Sequence, residues 1–149
     1  QVEGSLPEEL SYEDVLTISG SPVREGYSFD YWTAVPEGQK IEFVSVTRDQ
    51  TVTVYAHWTP KEYKVTYETG DGPRVEDTYY NCGADVDQYP KDVNGHAYEP
   101  GVTTTADGHY TFEKWNPKLP TIMPAHDVKE TAVWTPVKFS ITFMLGNEN

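Results

Sequence analysis

An internal repeat constrains the fold of this 149-residue chain more than any other feature. Residues 58–67 read Trp-Thr-Pro-Lys-Glu-Tyr-Lys-Val-Thr-Tyr, and residues 134–143 read Trp-Thr-Pro-Val-Lys-Phe-Ser-Ile-Thr-Phe, so the second copy lies 76 residues after the first. Upstream, residues 26–32 and 108–115 form another matching pair, and each ends in Trp. Self-similarity of this kind indicates repeated structural units. We therefore expect tandem units and not one 149-residue domain.

The residue pattern predicts β-strands. Large apolar side chains occupy every second position of residues 63–67 and 139–143, and residues 52–56 and 110–113 alternate in the same way. Alternation with a period of two places one face of a strand in the core. The chain has 16 Val and 17 Thr against 5 Leu and 7 Ala, which favours strands over helices. The predicted fold class is mostly β, with α+β as the alternative because residues 8–15 could form a short helix.

The repeat divides the chain into one complete unit and two partial ones. Residues 1–59 form a unit that lacks its first strand, residues 60–135 form a complete unit, and residues 136–149 supply the first strand of a following unit. A missing strand leaves an open sheet edge, and an apolar strand without a sheet is suited to fill such an edge in a neighbouring molecule. Self-association by strand exchange is therefore a hypothesis from the sequence.

Composition excludes several classes of partner. The formal net charge is −13 and the pI is near 4.5, which disfavours binding to nucleic acid or to anionic membranes. No segment approaches the roughly 20 apolar residues that span a bilayer, so we expect no membrane insertion. The sequence begins at Gln1 without a signal-type apolar segment, which suggests a piece of a longer protein.

Several segments resemble a known family. Residues 26–32, 52–60 and 63–67 are similar to the Listeria-Bacteroides repeat, the internalin B-type repeat of bacterial surface proteins. Residues 22–29 resemble that family's Pro-Thr-x-x-Gly-Tyr-Thr-Phe turn, and residues 119–128 resemble its Met-Pro-Ala-x-Asp variant.

The resemblance implies small β-grasp-like, ubiquitin-like units arrayed in tandem. It also implies secreted, often cell-wall-anchored proteins in which the units act as stalk, spacer or adhesion modules. Residues 79–108 depart from the family pattern, because they form a longer connection to the strand that follows.

The aromatic residues fall into two groups. Those that recur in both copies are predicted to form the core or to pack between units, since large aromatic side chains dominate core energetics; they are Trp32, Trp58, Trp115, Trp134, Phe29 and Phe112. Tyrosines outside the repeated motif are the candidates for stacking on a sugar ring or a host protein; they are Tyr79, Tyr80, Tyr89 and Tyr98.

The sequence carries no enzyme signature. Cys82 could pair with His96 or His109 as nucleophile and base, but no local motif surrounds the cysteine, and we expect an inert thiol. The four histidines lack metal-ligand spacing, so no metal centre and no cofactor are predicted. Calcium is the alternative, because acids lie in the glycine-rich turns, although none fits a calcium loop. These acids are Asp71, Asp85, Asp87, Asp92 and Asp107.

The favoured function is a non-catalytic repeat module of a bacterial surface protein, extracellular or secreted, acting as stalk or spacer and in adhesion. Its expected partners are neighbouring repeats of the same chain, together with a host surface protein or glycan. The alternative is a dedicated glycan- or receptor-binding domain whose site lies in residues 79–108.

Overall fold

A computed structural model describes residues 15–17, 20–45 and 51–144 of the chain. Within these ranges the protein is mostly β and contains no helix, which confirms the predicted class. The predicted helix over residues 8–15 lies outside the described residues except for Val15, which begins a strand. The strands are β1 (Val15–Thr17), β2 (Tyr27–Thr33), β3 (Lys40–Ile41), β4 (Phe43–Ser45), β5 (Tyr55–Pro60), β6 (Glu62–Glu68), β7 (Thr78–Asn81), β8 (Tyr110–Asn116) and β9 (Val128–Pro136).

The second unit is built on a four-stranded sheet in the order β7-β6-β9-β8. Its central strands, β6 and β9, run parallel, whereas both edge strands pair antiparallel with their neighbours. Alternation in β6 gives this sheet a buried face, since Val65 and Tyr67 are buried while Glu62 and Glu68 are exposed at the two ends of the strand.

Two irregular connections cover the inner face of this sheet. Residues 82–109 contribute Val86 and Tyr98, and residues 117–127 contribute Leu119 and Met123, all of them buried. Together with buried residues of the strands and Val75, they form one core cluster. Loops therefore occupy the layer that would otherwise need a helix, and the two connections are tied to each other by backbone hydrogen bonds such as Met123 N to Ala84 O (2.8 Å).

The first unit is smaller. A three-stranded sheet has the order β3-β2-β5, and β1 pairs separately with β4. Trp32 is the one buried hydrophobic residue that the structure describes in this unit, against nine in the second unit. The predicted strand over residues 52–56 begins only at Tyr55.

The two units share one detailed substructure. Phe29 lies opposite Trp58 across β2 and β5, and Phe112 lies opposite Trp134 across β8 and β9. Both pairs are followed by a break in register, one past Phe29 and one past Phe112.

The residue at each register break is an acid that binds a threonine. Thr59 Oγ1 donates to Asp30 at 2.6 Å, and Thr135 Oγ1 donates to Glu113 at 2.9 Å. Thr59 and Thr135 are the residues next after the paired tryptophans. The sequence repeat is therefore also a repeat of bulge, aromatic pair and hydrogen bond.

The strand predicted over residues 139–143 is not formed. Residues 137–144 adopt no regular structure, and Phe139, Ile141 and Phe143 are 76, 78 and 86% exposed. The reason is physical: the alternating pattern favours a strand only when a sheet receives its apolar face, and none in the described part of the chain does so. That residues 136–149 begin a following unit stays a prediction.

A buried carboxyl group lies inside the second sheet. Glu130 is 1% exposed, and its Oε2 has no hydrogen-bond partner among the described residues. It lies beside Tyr67 in the parallel pair of β6 and β9. Burial raises the pKa of Glu130 above its ordinary value, and burial likewise raises the pKa of Tyr67 to about 12.

We predict that Glu130→Gln stabilises the protein at neutral pH. Because the pKa of Glu130 is higher in the folded state than in the unfolded chain, stability falls as pH rises from about 4.3, the unfolded value, through the folded value. The variant removes this loss because a neutral amide costs less to bury than a charged carboxylate, and we expect a gain of about 1–3 kcal/mol at neutral pH. Urea unfolding at pH 4, 6 and 8 measures the difference.

The matched control is Glu62→Gln, which removes the same charge from an exposed position of the same strand pair. Its stability should follow the wild-type pH dependence. Equal behaviour of the two variants across the pH range would show that burial of Glu130 does not carry the effect.

Candidate functional site

The joint between the two units is the most sharply defined feature outside the core. A single residue, Lys61, connects β5 to β6. Its backbone N–H donates to Gly26 O at 2.9 Å, and its carbonyl accepts from Cys82 N at 2.8 Å. The Tyr27 hydroxyl also donates to Cys82 O at 3.3 Å. One peptide segment therefore bonds to both units at once.

Gly26 permits the close approach of the units. Its φ is +78°, a conformation that glycine adopts readily. A Cβ at this position would lie 2.3 Å from Cys82 Sγ and 2.9 Å from Ala125 Cβ, both in the second unit. Space for a side chain is therefore lacking, and the joint depends on glycine for both its backbone angle and its size.

A groove of about 580 Å³ opens beside the joint and is lined by both units. Arg24 and Lys61 supply positive charge to it, and the Arg24 guanidinium lies 3.8 Å from the centre of the Tyr27 ring. Glu25 also lines the groove, so its charged lining residues sum to +1 in a chain of net charge −13.

The four candidate tyrosines do not form one surface. Tyr79 and Tyr89 are 59 and 53% exposed. Tyr80 packs against the core, and its hydroxyl accepts a hydrogen bond from Asp87 N at 3.3 Å. Tyr98 is fully buried among Phe112, Trp115 and Trp134. The expectation that Tyr98 contacts a ligand is therefore wrong for this structure, because its ring fills the core.

Burial of Tyr98 also fixes the segment around it. Burial of the Tyr98 side chain raises the pKa of its hydroxyl, and the backbone of Tyr98 holds the segment in place. Its backbone N–H donates to Pro90 O at 2.9 Å, and Val93 N donates to Arg74 O at 2.9 Å. Residues 79–108 are thus anchored over the sheet and do not project as a free loop. A second groove of about 510 Å³ lies here, lined by residues that include Asp92, His96 and Thr103.

The repeated tryptophans divide by depth. Trp32 and Trp115 are 6% exposed, whereas Trp58 and Trp134 are half-buried and lie against Phe29 and Phe112. Trp134 also contacts the turn that follows β6, because its Nε1 donates to Thr69 O at 3.1 Å.

The structure does not bring Cys82 together with the candidate histidines. Cys82 is a free, half-buried thiol at the joint. His96 Nδ1 lies 3.7 Å from Asp92 Oδ2, and His109 Nδ1 lies 3.3 Å from Asp107 Oδ2. Neither histidine is hydrogen-bonded to the thiol in the part of the chain that the structure describes.

Three of the candidate calcium ligands serve turns. Asp92 Oδ1 accepts from the N–H groups of Asn94 and His96, and Asp87 Oδ1 accepts from Tyr89 N. The hydroxyl of Thr105, and then the N–H of His109, lower the pKa of Asp107. Over residues 20–45 and 51–144 no group of three His, Cys, Asp or Glu is arranged to hold a metal ion.

Comparison with known proteins places the first unit in context. Residues 2–57 match the model of the Listeria-Bacteroides repeat domain. The resemblance to the Listeria-Bacteroides repeat is confirmed for this part of the chain. The second unit lies outside the match, but it shares the bulge, the aromatic pair and the threonine–acid hydrogen bond with the first.

A protein of Evansella cellulosilytica, whose name describes it as a Gly-rich membrane protein, is 24% identical to this chain over 139 residues. The match covers 91% of this chain and 15% of that relative's length. Among solved structures, domains 3–4 of the Streptococcal High Identity Repeats in Tandem, from a cell surface protein, align over 87% of this chain and 82% of their own at 18% identity, with a TM-score of 0.34. No helix in the described residues is long and apolar enough to cross a membrane.

Sequence reasoning missed the joint. Gly26 and Lys61 belong to the repeated motifs, but the contacts they make with Cys82 and Ala125 join positions far apart in sequence. The available signal was the glycine directly before the aromatic strand, a position that often marks a backbone conformation with positive φ.

We predict that Gly26→Ala loosens the joint. The added Cβ would overlap Cys82 Sγ, and forced overpacking costs about 1–3 kcal/mol. Small-angle X-ray scattering should show a larger maximum dimension, and NMR relaxation should show more independent tumbling of the two units. Gly95→Ala is the control, because Gly95 has a φ of +85° with open space around its Cβ. Identical scattering and relaxation for the two variants would contradict the steric argument.

Proposed function

We propose that this chain is a non-catalytic repeat module of a bacterial cell-surface protein, in which it acts as a stalk or spacer and adds weak adhesive contacts. The observation that carries the proposal is the joint, where two equivalent units are connected through one residue and hydrogen-bonded across it. A connection this short fixes the spacing of units, which is what a stalk requires. Linked units also multiply weak contacts through their effective concentration.

The unit itself supports a β-grasp-like, ubiquitin-like interpretation of internalin B type. In the second unit, the first and last strands form the parallel central pair, and the second and third strands lie at the two edges. We propose that residues 82–109 replace the helix that crosses the sheet in a β-grasp, with Tyr98 and Val86 as the residues that fill the core.

We propose an extracellular setting, secreted or attached to the cell wall, with neighbouring repeats as partners and a solvent-exposed surface. Charged pairs on the outer faces of the sheets, such as Lys129 with Glu68 at 2.7 Å, are exposed to solvent. An acidic surface keeps such a chain soluble. Residues 2–57 match a family of repeats, which supports further repeats as neighbours.

We propose that the chain performs no catalysis and needs no cofactor. The candidate histidines His96 and His109 lie beside Asp92 and Asp107, and three of the acids that could bind calcium accept backbone hydrogen bonds within turns. These contacts supply a structural role for each group, so the geometry supports neither a nucleophile–base pair nor a calcium loop.

The second candidate function is a dedicated glycan- or host-receptor-binding domain. Its support is the exposure of Tyr79 and Tyr89 on an anchored frame, since rigid exposed tyrosines are efficient contact residues. Tyr79 lies on β7, opposite Lys64 on the outer face of the sheet. Among the described aromatic rings, however, Tyr79 and Tyr89 are not paired with each other.

An array of glycans and host extracellular proteins separates the two functions. For a spacer we expect no saturable partner, and we expect the double variant Tyr79→Ser/Tyr89→Ser to keep the wild-type melting temperature because both side chains are exposed. Saturable binding that is lost in this variant would favour the receptor-binding function instead. Tyr55→Ser/Tyr110→Ser, which alters two exposed tyrosines of other strands, controls for a general loss of aromatic surface.

A further inference from the structure

An equivalent backbone hydrogen bond forms where the chain leaves each unit. Lys61 N donates to Gly26 O at 2.9 Å, and Val137 N donates to His109 O at 2.7 Å. Gly26 and His109 directly precede Tyr27 and Tyr110, the first residues of the equivalent strands β2 and β8. The residues after Val137 therefore leave the second unit at the position equivalent to the one at which residues after Lys61 leave the first.

The two segments that follow these bonds differ in what they pack against. After Lys61 the chain becomes β6, and Val65 and Tyr67 turn into the core. At the same steps after Val137 stand Ile141 and Phe143, which are exposed to solvent. We name residues 138–144 the donor segment. It has the apolar alternation of β6 without a sheet to pack against in the described part of the chain.

The described part of the first unit has the complementary gap, because β5 lies at the edge of its sheet and no parallel strand pairs with it there. In the second unit, β6 pairs in parallel with residues 128–131 at the start of β9. The repeat offset of 76 residues relates this stretch to residues 52–55, which we name the acceptor edge. Residues 51–54 form no strand, and β5 is six residues long where β9 is nine. The residues by which β5 is shorter than β9 are residues 52–54. They are equivalent to the part of β9 that pairs with β6.

Charge does not oppose a contact between these two segments. The acceptor edge has no charged residue, and the donor segment has one, Lys138. In the second unit the last pair of this register is Glu68 with Thr131, whereas the equivalent positions are Met144 and Tyr55, which are both apolar in character. Burial would therefore be favourable along the whole pairing.

We propose that the donor segment of one copy of this chain adds as a parallel strand to the acceptor edge of a second copy. The register follows from β6 and β9: Ile141 lies opposite Val52, and Phe143 lies opposite Val54. Ile141 and Phe143 then cover the first unit's core as Val65 and Tyr67 cover that of the second. This is strand addition to an open sheet edge.

The geometry of the contact decides the form of the assembly. Each copy carries one donor segment and one acceptor edge, so the contact is heterologous and joins copies head to tail. We expect concentration-dependent association into oligomers, which end in a ring where the rotation between copies closes. Because each copy has a net charge of −13, higher salt should promote association by screening repulsion at longer range.

Sedimentation velocity of the 149-residue chain, from micromolar to near-millimolar concentration and at two salt concentrations, tests the assembly. The variant Ile141→Asp/Phe143→Asp should stay monomeric, and it should fold normally because both side chains are exposed in the single copy. Ser140→Asp/Thr142→Asp adds the same charge to the alternate positions and should still associate. A monomeric wild type, or association that survives in the Ile141→Asp/Phe143→Asp variant, overturns the proposal.

A peptide locates the contact without relying on oligomers. The ¹⁵N-labelled Ile141→Asp/Phe143→Asp protein, which keeps its acceptor edge, is titrated with an unlabelled peptide of residues 136–144. Saturable amide shifts centred on residues 51–55 support the proposal, and a peptide carrying the same two substitutions should produce none. Shifts elsewhere, or no shifts, contradict it. These readouts are independent of the glycan and host-protein array, so the failure of one proposal leaves the other intact.

Discussion

The parallel pairing of β6 with β9 is the interaction on which the second unit depends. It joins the first strand of the unit to the last, and it places Val65 and Tyr67 over the same core that Trp115 completes from β8. Nonlocal contacts of this kind make the unit cooperative, because neither central strand can leave without exposing the core. In the first unit, whose described residues show no such pairing, the last strand is shorter, and Trp32 is the one buried residue among the described apolar ones.

Each unit also contains an aromatic pair across two antiparallel strands, beside a bulge, and we name this arrangement the aromatic clasp. Phe29 with Trp58, and Phe112 with Trp134, stand next to a bulge whose acid binds a threonine hydroxyl. The hydrogen bonds from Thr59 and then His57 lower the pKa of Asp30. A bulge increases local twist and bends its strand. The aromatic clasp lies beside the ends of β5 and β9, from which the chain leaves each unit.

Local pattern explains how much of this the sequence could predict. The strands centred on Val65 and Phe112, and the recurrence of the tryptophans, follow from alternation and spacing, which are properties of neighbouring residues. Burial of Tyr98 and close approach at Gly26 depend on residues distant in sequence, so local pattern could indicate the backbone turn at Gly26 but not the contacts of either residue. The strand expected at residues 139–143 shows the opposite error, because a strand pattern needs a sheet before it becomes a strand.

The direction of the central strands bears on how a stalk of such units would respond to pulling. The chain enters the second unit at the start of β6 and leaves it at the end of β9, and because these strands run parallel, the two points lie at opposite ends of the sheet. Tension along the chain then slides one strand past the other, and the pairs from Val65 to Glu68 bear the load together. An antiparallel pair held at one end would instead peel apart one bond at a time.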